Sequence, residues 1–142
     1  MVAFERVRYA KLNPRQKENY NFQRVSGVLA KYGFVTMRLS DDWQGADFLA
    51  QHIDGETLLR VQLKSRFAIA KKYMGKGLYI CFRRKNVWYM YPHDTLVEWA
   101  LKHTNIGNTG SWKRQELYSV PKPSQALAGK LEQYRLEPDA QQ

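Results

Sequence analysis

Three polar residues near the middle of the chain carry the groups best suited to chemistry: Asp47, Gln62 and Lys64. Carboxylate and amide oxygens are hard ligands of the kind that Mg²⁺ prefers, and a lysine ammonium attracts anionic groups. These residues are distant in sequence, so they act together only if the chain folds back on itself between them. The intervening sequence predicts how it does so.

A β-hairpin is predicted around Asp54-Gly55, because a type I′ turn needs positive φ at both central residues and Asp-Gly adopts it at low cost. In the resulting register Asp47 lies directly across from Gln62, and directly opposed residues share a face of the sheet. Side chains alternate along a strand, so Lys64 lies on that same face. The other face is apolar and consists of Ala46, Phe48, Ala50, Leu59, Val61 and Leu63.

An Asp, a gap, an acid or Gln, any residue and Lys is the pattern of the PD-(D/E)xK nuclease superfamily, which the residues Asp47, Gln62 and Lys64 resemble. The resemblance covers roughly residues 13 to 100. It implies an α/β domain of the restriction-endonuclease type, with a mixed central sheet that carries the site and is flanked by helices. It also implies hydrolysis of DNA phosphodiester bonds with Mg²⁺, or with Mn²⁺ in its place.

The resemblance also implies a role for each site residue. Asp47 is the main metal ligand, Gln62 the second, and the main-chain carbonyl of Leu63 the third. Lys64 orients the attacking water and stabilises charge on the phosphate. Gln62 takes the place of the usual acid and removes one negative charge, which another carboxylate must restore if the site is active.

A helix is expected from Pro14, with Asn13 as its N-cap, to about Tyr32, and Gly33 ends it. Its apolar stripe consists of Phe22, Val25, Leu29 and Tyr32, and Glu18 lies four residues before the first of them.

Several residues are candidates to supply the negative charge that Gln62 lacks. Glu18 resembles the first-helix acid of many such nucleases, although Gln23 competes for that position and Glu18 also suits a solvent-exposed place in the first turn. Asp41 and Asp42 flank the site in a predicted polar loop, as auxiliary ligands or as turn-forming residues.

The chain suits a polyanionic partner, because 23 Lys and Arg against 13 Asp and Glu give a net charge of +10. Residues 65 to 77 are expected to be a connection beside the DNA path, where bases stack on Tyr73, or a solvated loop. A basic turn is expected at residues 83 to 86. The predicted nucleic-acid contacts are Arg66, Lys71, Lys72, Tyr73, Lys76, Arg83 and Arg84.

The remaining elements are assigned more coarsely. Strands are expected at 34 to 39, 78 to 82 and 87 to 91, and a helix capped by Asp94 is expected to run to about His103. His93 precedes this helix as a structural residue or a catalytic base. A flexible loop at 105 to 110, an edge strand at 112 to 120, a helix at 124 to 136 and a frayed tail at 137 to 142 complete the chain.

The 142 residues predict one domain, with a core at about 13 to 103 and an extension at 104 to 142. The single cysteine, Cys81, excludes a disulfide within the chain and favours a reducing compartment. Because the sequence has no apolar run of about 18 residues and its start lacks the apolar region of a secretory signal, a cytoplasmic location without membrane insertion is expected. One small domain has one site, and cutting both DNA strands therefore suggests a homodimer.

Three alternatives to an active nuclease stay open. One is a sheet face on which Asp47 and Lys64 form a solvent-exposed salt bridge. Another is a catalytically inactive nuclease fold that only binds nucleic acid, and the third is a binding module that also uses Lys113 and Arg114. The resemblance does not distinguish restriction, homing, junction-resolving and repair enzymes, which share the site and differ in their docking surfaces.

Overall fold

A computed structural model describes residues 2–136 of the chain. The strands are β1 (Phe34–Trp43), β2 (Ala46–His52), β3 (Leu58–Lys64), β4 (Phe67–Ala70), β5 (Leu78–Arg84), β6 (Val87–Pro92), β7 (Leu117–Val120) and β8 (Arg135–Leu136). The α-helices are α1 (Pro14–Ala30), α2 (His93–His103), α3 (Gly110–Gln115) and α4 (Gln125–Leu131). Six strands form one sheet in the order β1-β2-β3-β5-β6-β8, and β4 pairs with β7. The large sheet is mixed, because β3 and β5 are parallel.

The first helix begins where the sequence predicts. The Asn13 side chain accepts a hydrogen bond from the backbone of Gln16, whose side chain accepts one from Asn13 in return. The helix ends at Ala30, earlier than predicted, and a tight turn leads to Gly33 at φ +85°. Tyr32 is therefore not part of the buried stripe and is 40% exposed.

The first strand is longer than predicted. It continues through the expected polar loop to Trp43, and a two-residue turn follows at Gln44 and Gly45, with φ of 52° and 89°. A Cβ atom on Gly45 would lie 2.9 Å from a methyl group of Leu78, so glycine suits this position for its size as well as its conformation. Asp41 lies within the strand, and the turn role predicted for it is wrong.

The register predicted for the β2–β3 hairpin is confirmed, since Phe48 pairs with Val61 and the pairing continues in step toward the turn. The type I′ turn is wrong, because only Gly55 of the Asp54-Gly55 pair has a positive φ, at 75°. The Asp54 carboxylate instead accepts hydrogen bonds from the backbone and the hydroxyl of Thr57. A loop closed by side-chain hydrogen bonds thus gives the same strand register as the predicted turn.

The connection after β3 is not a solvated loop throughout. Its residues Phe67–Ala70 form a buried strand that pairs with β7. Strand β5 extends to Arg84, which shortens the predicted basic turn to Lys85 and Asn86, at φ 52° and 63°. In the connection after β3 the apolar residues of Phe67–Ala70 belong to the core, whereas Met74 is exposed.

The second half of the chain departs most from the predictions. Helix α2 begins at His93 with Pro92 as its N-cap, so Asp94 lies in the first turn and is not the cap. The expected loop contains a 3₁₀ turn at Ile106–Asn108, and α3 occupies part of the expected edge strand. The predicted last helix is divided into α4, another 3₁₀ turn and β8. The predicted tail at 137–142 lies outside the described residues.

Helices cover both faces of the sheet, which confirms the predicted fold class. On one face α1 packs its buried residues against the central hairpin: Phe22, Val25 and Leu29 contact a cluster with Phe48, Ala50 and Val61. On the other face α2, α4 and the small sheet form a second cluster, which includes Phe67, Ile80, Phe82, Tyr91, Leu96, Val97, Ala100, Leu127 and Leu131. Across residues 2–136, none of the helices combines the length and apolarity needed to cross a membrane.

Candidate functional site

Asp47 lies where β2 separates from β3. The paired residues of the two strands run from Gln51 and Leu58 to Phe48 and Val61, and next to the last pair Oδ2 of Asp47 accepts a hydrogen bond of 2.7 Å from the Leu63 backbone N–H. Ala46 is buried in a cluster with Leu78, away from the rest of the apolar face on which it was expected. The carboxylate is thus fixed to the main chain between Gln62 and Lys64.

Gln62 and Lys64 meet at a single oxygen atom. The hydroxyl of Tyr73 accepts hydrogen bonds from Nε2 of Gln62 at 3.0 Å and from Nζ of Lys64 at 3.2 Å. The other end of the amide, Oε1 of Gln62, is buried and has no hydrogen-bond partner among the described residues. The three residues singled out from the sequence are therefore brought together, by way of Leu63 and Tyr73.

Tyr73 was expected to stack on DNA bases, and this is wrong because its side chain is buried, with 7% exposure. Its ring lies edge-on to that of His93, with centroids 5.7 Å apart. Burial raises the pKa of its hydroxyl, but the hydrogen bonds from Gln62 and Lys64 and the charges of Lys64 and Lys72 outweigh it, so the pKa lies below its ordinary value. No spacing signal predicts this placement, which depends on the 3₁₀ turn Lys71–Tyr73.

A cleft of about 1190 Å³ opens beside Asp47 and Gln62. Its lining residues come from α1, β1, the β1–β2 turn, β3 and the segment before β5: Pro14, Arg15, Glu18, Asn19, Arg38, Leu39, Ser40, Asp41, Gly45, Ala46, Asp47, Gln62, Lys72, Tyr73 and Lys76. Glu18 and Asp41 thus lie on the same cleft as Asp47, whereas Gln23 lines a separate groove beside the N-terminal segment.

Arg38 holds Glu18 in this cleft. Its guanidinium lies 3.2 Å from the Glu18 carboxylate and also donates to the side chain of Asn19 at 2.9 Å. Arg38 is not among the residues singled out from the sequence. The pairing of β1 with β2 would have identified it, because Arg38 lies opposite Phe48 on the face of the sheet that α1 covers.

The donor atoms in the cleft fit a hard divalent cation. Among the described side chains, which do not include that of Asp42, no three His, Cys, Asp or Glu lie together as a metal cluster. However, Mg²⁺ keeps several waters and is commonly held by one or two carboxylates. Asp47 supplies a carboxylate on the cleft, and the unpartnered Oε1 of Gln62 supplies a neutral oxygen.

Comparisons with known proteins give structural matches alone, since no family model and no curated protein matches the chain. It is similar to Hjc, a Holliday junction resolvase from Archaeoglobus fulgidus, at 18% identity over 49% of this chain and 74% of that one, with a TM-score of 0.38. It is also similar to the bacterial homing endonuclease I-Ssp6803I, at 13% identity over 87% and 86%, with a TM-score of 0.49.

Both of these proteins are nucleases. At these identities and TM-scores the matches carry no argument about the chemistry, which must be argued from the site.

The residues predicted to contact DNA divide into two groups. Lys72 and Lys76 line the cleft together with Arg15, which the sequence analysis did not identify. With Arg38, which is paired with Glu18, four cations among the described residues line the cleft together with the carboxylates of Glu18, Asp41 and Asp47. The cleft therefore combines positive charge with oxygen ligands.

The other predicted contacts lie away from the cleft lining. Lys71 forms an ion pair of 3.0 Å with Glu116, and Arg66 donates to the hydroxyl of Ser119. Arg83 lies over the ring of Tyr9, and Arg84 is half-buried at the end of β5. Their predicted role in DNA binding stays a prediction.

His93 has a structural role in the segment that carries Tyr73. It is fully buried; its Nε2 accepts a hydrogen bond from the Ala70 N–H at 3.1 Å, and its Nδ1 lies 2.9 Å from Asp94. Both ring nitrogens are thus used within the fold, which leaves neither for a substrate proton. Burial lowers the pKa of His93 and outweighs the opposing effect of Asp94.

Acid is expected to destabilise the protein through His93. Above pH 6.5, the ordinary pKa of histidine, His93 is neutral in both the folded and the unfolded protein, and its contribution to the free energy of unfolding is complete. As the pH falls below 6.5, the unfolded chain binds a proton that the folded chain binds only at lower pH, so the free energy of unfolding decreases. Urea midpoints at about pH 7.5 and about pH 5.5 measure the effect.

His93→Gln is expected to reduce this pH dependence, because an amide oxygen can accept the Ala70 N–H without titrating. His103→Gln, at an exposed histidine of the same helix, is the control and should retain it. An equal acid-induced loss of stability in His93→Gln and the wild type would contradict the assignment.

Proposed function

We propose that the protein is a metal-dependent DNA endonuclease that hydrolyses phosphodiester bonds at Asp47, Gln62 and Lys64. One observation carries the proposal: Asp47 is bonded to the backbone between Gln62 and Lys64, and those two side chains meet at the Tyr73 hydroxyl. Asp47, Gln62 and Tyr73 thus line one cleft that also carries Arg15, Lys72 and Lys76, and the Lys64 ammonium is bonded to Tyr73 beside it.

Each residue has a distinct task in this reaction. A bound Mg²⁺ or Mn²⁺ neutralises charge on the phosphate and lowers the pKa of water. Asp47 and Oε1 of Gln62 would hold the cation, together with the carbonyl of Leu63. The ammonium of Lys64 attracts the phosphate and stabilises the negative charge that develops on it. Glu18, on the same cleft, is the proposed further carboxylate of the site.

The charge of the chain favours DNA as the substrate. The net charge is +10, and the cleft lining includes Arg15, Lys72 and Lys76, which would contact DNA phosphates near the bond to be cut. Further phosphate contacts are proposed for Arg66, Lys71, Arg83 and Arg84.

A homodimer is proposed because one site cuts one strand at a time. An apolar surface suits such contact: Val35, Met37 and Leu58 are 69%, 61% and 55% exposed. The pairing of β1, β2 and β3 places them on the face of the sheet opposite α1. Sedimentation of the wild type and of Met37→Glu tests this, and a monomeric wild type would refute it.

Cleavage of supercoiled, linear, single-stranded and four-way-junction DNA tests the activity directly. We expect products with Mg²⁺ or Mn²⁺ and none after chelation with EDTA, because the cation supplies the charge that the site lacks. The substrate cut fastest identifies the subtype. Salt-sensitive binding without any cutting would instead support an inactive nucleic-acid-binding protein, the reading that Gln62 in place of an acid favours.

A further inference from the structure

The glutamine of the site raises a problem of orientation. The two oxygens of a carboxylate are equivalent, but an amide presents an oxygen at one end and an NH₂ group, which cannot bind a cation, at the other. Gln62 serves as a ligand only when its oxygen is directed toward the cation. A neighbouring group that accepts a hydrogen bond from the NH₂ end would fix this orientation.

The hydroxyl of Tyr73 is that acceptor. It lies 3.0 Å from Nε2 of Gln62, while Oε1 is buried and without a partner among residues 2–136. The same hydroxyl accepts from the ammonium of Lys64 at 3.2 Å, and a second ammonium, that of Lys72, lies 5.1 Å from the ring centroid. The NH₂ group of Gln62 and the ammonium of Lys64 thus both donate to the phenolic oxygen, which uses its two lone pairs to accept them.

The position of this hydroxyl is fixed by the fold. Backbone N–H groups on both sides of Tyr73 are anchored to the start of α2: that of Ala70 donates to His93, and that of Gly75 donates to Asp94 at 2.9 Å. The buried ring also lies edge-on to the ring of His93. Tyr73 is therefore a rigid support on which two flexible side chains converge.

We propose that Tyr73 is a positioning residue of the nuclease site, whose hydroxyl binds the NH₂ group of Gln62 so that Oε1 is presented to the cation, and holds the Lys64 ammonium beside it. This inference rests on the proposed function, since it assigns Gln62 as a metal ligand. It explains how a glutamine replaces an acid at this position: the tyrosine supplies the orientation that a carboxylate does not need.

The first test is the affinity for Mn²⁺, measured by calorimetry without DNA in the wild type and in Tyr73→Phe. The variant keeps the ring and removes only the hydroxyl. We expect its affinity to fall about 10-fold or more, the usual effect of losing a group that orients a metal ligand. The side-chain NH₂ protons of Gln62 should also exchange faster with solvent, as nuclear magnetic resonance would show. Tyr79→Phe, at a half-buried tyrosine packed against the α1 cluster, is the control.

The same substitution made in a Gln62→Glu protein distinguishes a loss of side-chain orientation from simple structural damage. In Gln62→Glu both ends of the side chain are oxygens, so adding Tyr73→Phe should leave the Mn²⁺ affinity nearly unchanged. An equal loss in both backgrounds would show that Tyr73 merely supports the fold and would overturn the inference. So would unchanged affinity in Tyr73→Phe, provided that the wild type binds Mn²⁺ and cuts DNA. A wild type that does neither would overturn the proposed function as well.

Discussion

Asp47→Asn is expected to abolish DNA cleavage while leaving the fold and DNA binding in place. The amide retains an oxygen that can accept the Leu63 N–H, so the end of the hairpin stays closed. It removes the carboxylate charge on which cation binding depends, and the rate should fall about 100-fold or more. Binding should be unchanged or tighter, because one negative charge beside the DNA phosphates is lost. Plasmid cleavage with Mg²⁺ and binding without metal measure the two effects.

Glu98→Gln provides the matched control for this experiment. Glu98 is an exposed carboxylate on α2 and is not part of the cleft lining, so its neutralisation changes the net charge equally without touching the site. It should cut DNA at the wild-type rate. Undiminished Mg²⁺-dependent cleavage by Asp47→Asn would show that the active site lies elsewhere.

The central hairpin could be predicted because two independent signals agree on it. Alternation of apolar residues such as Phe48 and Val61 allows one register, since a shift by one residue would place both on the wrong face. The turn signal favours the same register. That agreement explains why the pairing is correct even though the Asp54-Gly55 turn is not of the predicted type.

Turn positions elsewhere were missed because the sequence does not resemble a turn there. Gln44 and Lys85 have positive φ, which these residues seldom adopt, and both are held there by the strands on either side. Strand pairing thus overrides local preference. The expected loop at 40 to 44 was for this reason mostly strand, and the expected four-residue basic turn was two residues long.

The candidate site was predictable only in part, for a similar reason. Asp47, Gln62 and Lys64 lie on one hairpin, so their proximity could be predicted from its register. Tyr73 contacts Gln62 and Lys64, and Arg38 contacts Glu18. These contacts depend on the packing of segments that are distant in sequence, which sequence periodicity does not reveal. The aromatic and basic composition around Tyr73 suggested DNA stacking, whereas burial gives its hydroxyl a place in the site.

Lys64→Met is expected to reduce the cleavage rate about 100- to 1000-fold, the usual cost of removing one group that stabilises charge in the transition state. Methionine is similar in length and keeps the apolar stem of the half-buried side chain, so the fold should be retained. The effect should fall on kcat, because the ammonium acts on charge that develops during the reaction. Single-turnover rates and DNA affinities, measured separately, distinguish an effect on kcat from an effect on DNA binding.

Lys102→Met, at an exposed lysine of α2, removes the same charge away from the cleft and should cut normally. Lys64→Arg should recover only part of the rate, because a planar guanidinium cannot occupy the position of a compact ammonium beside the Tyr73 hydroxyl. If Lys64→Met lost DNA affinity and cleavage equally, the residue would be a phosphate contact. A loss confined to the rate places its ammonium at the phosphate that reacts, which is where its shared hydrogen bond with Gln62 at Tyr73 would hold it.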